Sequence, residues 1–257
     1  MRGRSRFIAF ALVAATLATG IVLASRVWAV TGRTALASVH TGSSERASAA
    51  EARVRPQLER ELASSGLGYG APLFVRVFKR EKELELWLRG GGDRFVLFRT
   101  YPVCTYSGSL GPKLREGDNQ APEGFYRVAM DQLNPRSQFH LSFNLGYPNA
   151  YDRAHGRTGS YLMVHGSCVS IGCYAMGDAA IEEIYSLAAA ALRAGQPAFE
   201  VHAFPFRLDD AAIGAQRTSP WHAFWSELKP GYDAFERSRM PPRVRVAGKQ
   251  YVVVEES

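Results

Sequence analysis

The sequence predicts a mixed α+β fold, mainly antiparallel β with flanking helices, and three observations carry that expectation. Leu73–Phe78, Glu83–Arg89 and Arg94–Thr100 are short, rich in β-branched and aromatic residues, and partly alternating. Glu81–Lys82 and Gly90–Asp93 separate them with turn-forming residues, so a meander of antiparallel strands is expected. Asp178–Leu192 and Trp221–Leu228 carry apolar residues at helical spacing, which supplies the helices that flank the sheet.

From the N-terminus, Met1–Arg6 holds three Arg, and Phe7–Ser25 then contains no charged residue. A basic stretch followed by an apolar run is the layout of an export signal. The run, about 19 residues, sits at the lower limit for crossing a hydrocarbon core of roughly 30 Å. Residues 1–38 are therefore expected to act as a signal peptide or a signal anchor. Small residues around Val27–Ala29 and Leu36–Ser38 leave both open. Export places the protein in the periplasm, with the membrane involved only through this segment.

Residues 39–55, rich in Ser, Ala, Arg and Glu, read as a linker running into a helix. Pro56 fits the first turn of that helix, Leu58 and Leu62 its buried side, and Gly66 its end. After the three strands, residues 101–159 turn to Gly, Pro, Asn and Ser with aromatics between them, a texture of long functional loops. Strands are expected at Gly124–Val128 and Phe139–Phe143, and a buried strand at Tyr161–His165. Asp178 is placed to cap a helix with Ile181, Ile184, Tyr185, Ala188 and Leu192 on one face and Gly195 as its stop. Phe199–Phe206 reads as a further strand. Ser219-Pro220 opens a helix striped by Trp221, Phe224, Trp225 and Leu228, and Val244–Val246 with Tyr251–Val254 forms a hairpin around Gly248. Residues 56–257 are thus expected to be one domain, with its core at about 72–208.

The net charge of +7 suggests a nucleic-acid or anionic-membrane partner until its location is considered. Residues 1–56 hold eight Arg and two Glu, a net of +6, so residues 57–257 carry 23 basic and 22 acidic side chains. A folded part this close to neutral has no overall basic face to hold phosphates, which argues against nucleic acid. Three cysteines, Cys104, Cys168 and Cys173, are an odd number for an exported chain, so at least one thiol stays free.

The chemistry-bearing segment is His165-Gly166-Ser167-Cys168-Val169-Ser170-Ile171-Gly172-Cys173-Tyr174-Ala175-Met176. A buried strand ends in His165, and Cys173 follows eight residues later, after a glycine and before a helix. An imidazole at a strand end can take the proton that makes a thiol nucleophilic. Gly172 lets the backbone turn closely, so the amides of Gly172, Cys173 and Tyr174 are expected to converge as an oxyanion hole. The Ser170 hydroxyl would support that loop or donate to substrate. On the residues alone two other readings stand. In one, His165 is a backbone-bonded structural residue and the cysteines are small hydrophobes. In the other, His165, Cys168 and Cys173 form a metal site completed by His140 or His155.

The segment resembles the catalytic signature of the L,D-transpeptidase (YkuD-type) family of bacterial cell-wall enzymes, which pairs a His-Gly strand end with Ser-x-Gly-Cys. His165-Gly166 and Ser170-Ile171-Gly172-Cys173 stand at those positions. Tyr101-Pro102-Val103 with Gly108, and Ala121-Pro122-Glu123-Gly124-Phe125-Tyr126, are similar to the family's upstream elements. The spacing from His165 to Cys173 is shorter than usual, Ile171 replaces a second His, and Tyr174-Ala175-Met176 follows the nucleophile. These departures resemble the YafK-like branch, and so does most of Tyr101–Met176. The resemblance covers about residues 53–257.

It implies an antiparallel β sandwich or sheet with flanking helices and no cofactor or metal. It implies a cysteine acyl-transfer enzyme acting on peptidoglycan stem peptides. Cys173 would attack the L-centre carbonyl of meso-diaminopimelate, with His165 as base and then acid. The acceptor of the thioester would be an amine, giving 3–3 crosslinks or attached lipoprotein, or water. The YafK-like branch implies hydrolysis that releases a peptidoglycan-bound outer-membrane lipoprotein. A non-catalytic peptidoglycan-binding module of the same fold is the rival class, disfavoured by the presence of both His165 and Cys173. His140, Tyr106, Tyr151, Asp152, Arg153 and Arg157 are candidates to meet the substrate. Cys104 and Cys168 are the pair to bridge if a disulfide forms, since that spares Cys173.

Overall fold

The structure is a computed structural model and describes residues 44–254. The signal or anchor expected at residues 1–38 lies outside the described residues. Among the described residues, no helix is long and apolar enough to cross a membrane.

Two five-stranded sheets and a hairpin form the framework. The first sheet has the order β3-β2-β1-β10-β5, built from Phe95–Pro102, Glu83–Arg89, Leu73–Phe78, Phe199–Phe204 and Gly124–Val128. The second has the order β4-β9-β8-β7-β6, from Thr105–Tyr106, Tyr174–Ala175, Met163–His165, Ser142–Asn144 and Leu133–Asn134. β11 (Arg243–Ala247) and β12 (Gln250–Val254) form the C-terminal hairpin. The expected antiparallel meander is present as β1-β2-β3. Two pairs are parallel, β1 with β10 and β8 with β9, and both join segments that neighbouring sequence does not link by a tight turn.

Helices cover both faces of the first sheet. On one face α3 (Asp178–Arg193) buries Ile181, Ile184, Tyr185, Ala188 and Leu192 in a core shared with Val75, Val77, Leu84 and Leu86 and with Phe143 and Val164 of the second sheet. On the other face Phe78, Phe125 and Phe204 meet Phe224, Trp225, Leu228 and Tyr232 of α5 (His222–Ser238). β1 is consequently buried at every position, and its one charged residue, Arg76, is satisfied by ion pairs to Glu85 and Glu236. Short helices α2 (Ala150–Ala154) and α4 (Asp210–Gly214) close loops.

Several boundaries differ from the sequence expectation, four of them near the site or the N-terminal helix. Residues 45–55 are helical rather than linker, because α1 spans Glu45–Ser64 and holds Pro56 in its interior. Ser44 caps this helix by accepting from the Ala47 amide, and the small residues Ala47 and Ala50 are buried. The strand expected at Phe139–Phe143 begins at Ser142, since His140 adopts a left-handed φ of 68°. The strand expected at Tyr161–His165 begins at Met163, and Tyr161 is 72% exposed with φ 55°. Asp178 does not cap its helix. Gly177 holds the cap position, and the Asp178 carboxylate accepts from the Ser167 amide at 2.7 Å, pinning the turn after His165 to the helix start.

Candidate active site

His165 ends β8 and is 2% exposed, and its partner across the parallel pair is Ala175 of β9, two residues beyond Cys173. Its Nδ1 lies 2.6 Å from the Gly166 carbonyl oxygen. A carbonyl only accepts, so Nδ1 carries the hydrogen and the neutral imidazole presents its lone pair at Nε2. The Phe139 ring packs on the imidazole with centroids 4.7 Å apart. Gly166 is required by close approach: a Cβ there would lie 2.7 Å from Asp178 Oδ1 and 2.8 Å from the Phe139 carbonyl oxygen.

Cys173 is half-buried and is a free cysteine. The Met163 amide donates to its Sγ at 3.4 Å, and the thiol lies 3.8 Å from the Tyr161 carbonyl oxygen. The Cys173 thiol is therefore held against the strand that ends two residues later in His165. Burial pushes the thiol above its ordinary range, against the Met163 amide and the Lys113 ammonium, which favour the thiolate. Burial likewise holds His165 below its ordinary value. Burial thus disfavours the charged form of both groups.

The loop between them is organised by Ser170. Its Oγ accepts from the amides of Gly172 (3.2 Å) and Cys173 (3.0 Å) and donates to the Cys173 carbonyl at 2.8 Å. Ser170 thus ties the loop together, and the amides of Gly172 and Cys173, expected with that of Tyr174 to converge as an oxyanion hole, already have an acceptor. The amides of Gly172 and Cys173 point at the hydroxyl rather than at open space. Gly172 has φ 144°, a backbone conformation that favours glycine. Tyr174 is buried, and its hydroxyl donates to the Pro122 carbonyl at 2.6 Å, so its side chain anchors β9 from within the core.

The candidates for substrate contact separate into two groups. Tyr106 pairs with Tyr174, the residue after Cys173, on the β4–β9 ladder and is half-buried. The other group serves the framework. Asp152 is fully buried, accepting from Arg157 at 2.8 Å and from Tyr126 and the Asn149 amide. Tyr151 is 2% exposed and stacks on Tyr251 with centroids 4.2 Å apart. Burial removes Tyr151 and Asp152 from contact with a ligand arriving from solvent, and Arg157, also buried, is held by Asp152. Arg153 is exposed and donates to the Pro148 carbonyl. His140 turns its Nε2 to Glu182 of α3 at 2.8 Å. Cys104 and Cys168 are joined in a disulfide with Cα atoms 5.5 Å apart, which takes Cys168 out of the metal-ligand alternative.

Sequence reasoning did not single out Phe139, Lys113 or Ser107. Lys113 is buried, donating to Asp118 Oδ1 at 2.6 Å and to the Arg115 carbonyl at 2.9 Å, and its charge acts on Cys173. Ser107 lies 3.3 Å from Ser170, oxygen to oxygen. A single Lys or Ser in a long Gly- and Pro-rich stretch carries no periodicity that would mark it.

Comparison with known proteins places the chain in a family. The L,D-transpeptidase catalytic domain (YkuD) matches residues 73–198, a span that holds both His165 and Cys173. YafK of Escherichia coli (strain K12), an L,D-transpeptidase-family protein, is 49% identical over 184 residues, covering 72% of this chain and 74% of that protein. Among solved structures, a point variant of the helical cell shape determining protein Pgp2 from Campylobacter jejuni matches with a TM-score of 0.44 and 19% identity, over 68% of this chain and 62% of that one. Bd1075 from Bdellovibrio bacteriovorus matches with a TM-score of 0.37 and 19% identity, over 65% and 61%. The chain belongs to the YkuD-type L,D-transpeptidase family, whose cysteine enzymes act on peptidoglycan stem peptides.

Proposed function

We propose that this protein is a periplasmic cysteine hydrolase that cleaves the bond between meso-diaminopimelate of peptidoglycan and an outer-membrane lipoprotein. The observation that carries the acyl-transfer chemistry is the free Cys173 thiol, held by the Met163 amide on the strand that ends in His165. The hydrolytic outcome and the lipoprotein substrate are supported by the resemblance to the YafK-like branch. Export is supported by the basic and apolar N-terminal run.

Cys173 Sγ attacks the L-centre carbonyl carbon while its proton passes to His165 Nε2. The amide C–N bond breaks, the imidazolium returns that proton to the departing amine, and a thioester remains. Water then attacks the thioester, giving one proton to Nε2. The C–S bond breaks, the imidazolium returns that proton to the sulfur, and the new carboxylic acid releases its remaining proton to solvent as the carboxylate forms. An amine in place of water gives transfer through the same thioester.

The test is incubation of the purified protein with sacculi that carry bound lipoprotein, with products identified by mass spectrometry. Free lipoprotein and muropeptides ending in a diaminopimelate carboxylate are expected, and Cys173→Ala is expected to release neither while remaining folded. New 3–3 dimers without lipoprotein release would overturn hydrolysis in favour of transfer.

A further inference from the structure

The segment Cys104–Ser107 runs beside the nucleophile and grips the catalytic loop at two points. Between these points Thr105 pairs with Ala175 and Tyr106 with Tyr174, so the segment runs antiparallel to the residues directly after Cys173. At one end Cys104 is bonded to Cys168, inside the loop from His165 to Cys173. At the other, Ser107 meets Ser170, whose hydroxyl sets both the amide and the carbonyl of Cys173. The intervening loop residue, Val169, is 55% exposed, and Ile171 beyond it is 83% exposed. Neither contributes burial that would hold the loop by itself. Near His165 the loop is tied by the Gly166 amide to the Leu141 carbonyl, the Ser167 amide to Asp178 and the Gly177 amide to the Ser167 carbonyl, all before Cys168.

We propose that the Cys104–Cys168 disulfide is a positioning element for catalysis, holding the loop so that Ser170 places Cys173 for attack, and that activity is consequently switched on by oxidation of these two thiols. Both cysteines are exposed, so an external disulfide can reach them. Oxidation forms the S–S bond and transfers two electrons and two protons to that external disulfide, which becomes two thiols. A chain still in a reducing compartment would hold three thiols and an unclamped loop. After export the bridge would form and leave Cys173 as the free thiol. The activity read below is that of the proposed function, whereas the thiol chemistry of Cys173 is independent of it.

The experiment compares the full chain in three forms: oxidised, reduced by a phosphine, and Cys104→Ser/Cys168→Ser. For each, the rate at which iodoacetamide labels Cys173 is mapped by peptide mass spectrometry across pH, kcat and KM are measured on lipoprotein-bearing sacculi, and near-UV circular dichroism reports the folded fraction. Losing the bridge is expected to lower kcat roughly tenfold to a hundredfold with KM within about twofold. The Cys173 labelling profile is expected to move toward that of an exposed thiol while the folded fraction stays the same. Glutathione disulfide should restore the reduced wild type and leave the double variant unchanged. Labelling profiles that coincide in all three forms would overturn the proposal, as would a kcat loss that only tracks the folded fraction. If the double variant does not fold, the reversibly reduced wild type decides by the same two readouts. If no form acts on sacculi, the proposed function fails, and the labelling profiles still decide the role of the bridge.

Discussion

Ser170 and Cys173 are joined in both directions, with the Cys173 amide donating to Ser170 Oγ at 3.0 Å and that hydroxyl donating back to the Cys173 carbonyl at 2.8 Å. One side chain thereby fixes the peptide planes on either side of Cys173. The serine of the Ser-x-Gly-Cys motif works as a local template, not as a reacting group.

Removing that template should therefore uncouple placement from chemistry. Ser170→Ala leaves the amides of Gly172 and Cys173 without their acceptor, which costs about 1–3 kcal/mol of stability. A nucleophile displaced by an ångström costs up to about a hundredfold in rate. Ser170→Ala is expected to lower kcat by roughly tenfold to a hundredfold, with the protein folded at 25 °C. A kinetic constant within about twofold of wild type would remove the template role.

The electrostatics of the pair set the pH behaviour of the thiol. Burial raises Cys173 and lowers His165, so at neutral pH the resting sulfur is protonated. Iodoacetamide is expected to label Cys173 more slowly at pH 7 than it labels an exposed cysteine, with a rate still rising beyond the ordinary thiol range. Lys113→Met removes a charge that favours the thiolate, and it should shift the profile further to alkaline pH. Competing labelling rates measured by mass spectrometry from pH 6 to 10 check both statements. Saturation below pH 8 would show an ion pair already formed in the resting site.

How much of this was legible in the sequence follows from what each feature depends on. Strands such as Leu73–Phe78 and Glu83–Arg89, and the face of α3, are written in local period and lie where expected. The pairing of β1 with β10 depends on residues more than a hundred positions apart, and no local pattern records it. The first half of α1, up to residue 55, reads as a linker because its buried positions there are the small Ala47 and Ala50, whereas Leu58 and Leu62 mark the second half as helix. At the site, His165 and Cys173 stand out in sequence through the family signature they share, since the residues alone left structural and metal readings open. Asp152 and Arg157 look like ligand contacts in sequence because loop polarity says nothing about burial, and the structure places them as a buried ion pair.

A second buried pair supports the site from behind. Lys79 and Glu123 are 0% exposed, 3.0 Å apart, and Glu123 also accepts from the Gly111 amide and from Trp225 Nε1. Glu123 follows Pro122, whose carbonyl accepts from the hydroxyl of Tyr174, the residue after Cys173. Glu123→Ala leaves a buried ammonium uncompensated and is expected to destabilise the fold by about 3–5 kcal/mol. Urea unfolding is the measurement, and a loss under about 1 kcal/mol would show that the network relaxes around the gap.

His202 makes the opposite kind of contribution. It is 1% exposed on β10, its two ring nitrogens have no hydrogen-bond partner, and Phe74 and Phe125 each pack edge-on with centroids 4.7 Å from its ring. Burial first, and then the Arg76 charge, lower its pKa from 6.5 to about 3. Between those values the unfolded chain binds a proton that the folded chain does not. Stability therefore rises with pH in that window and falls on acidification, by up to about 1.4 kcal/mol per pH unit from this group. His202→Leu fills a similar volume without an unpaired N–H, so it is expected to stabilise the protein by about 1 kcal/mol at pH 7. It should also flatten the acid slope between pH 6.5 and 4, because the protonation that favours the unfolded chain is gone. Thermal melts of both proteins across that range measure the difference. Parallel slopes would assign the acid sensitivity to the carboxylates, and a lower melting temperature for the variant at pH 7 would show that the ring packs better than the leucine that replaces it.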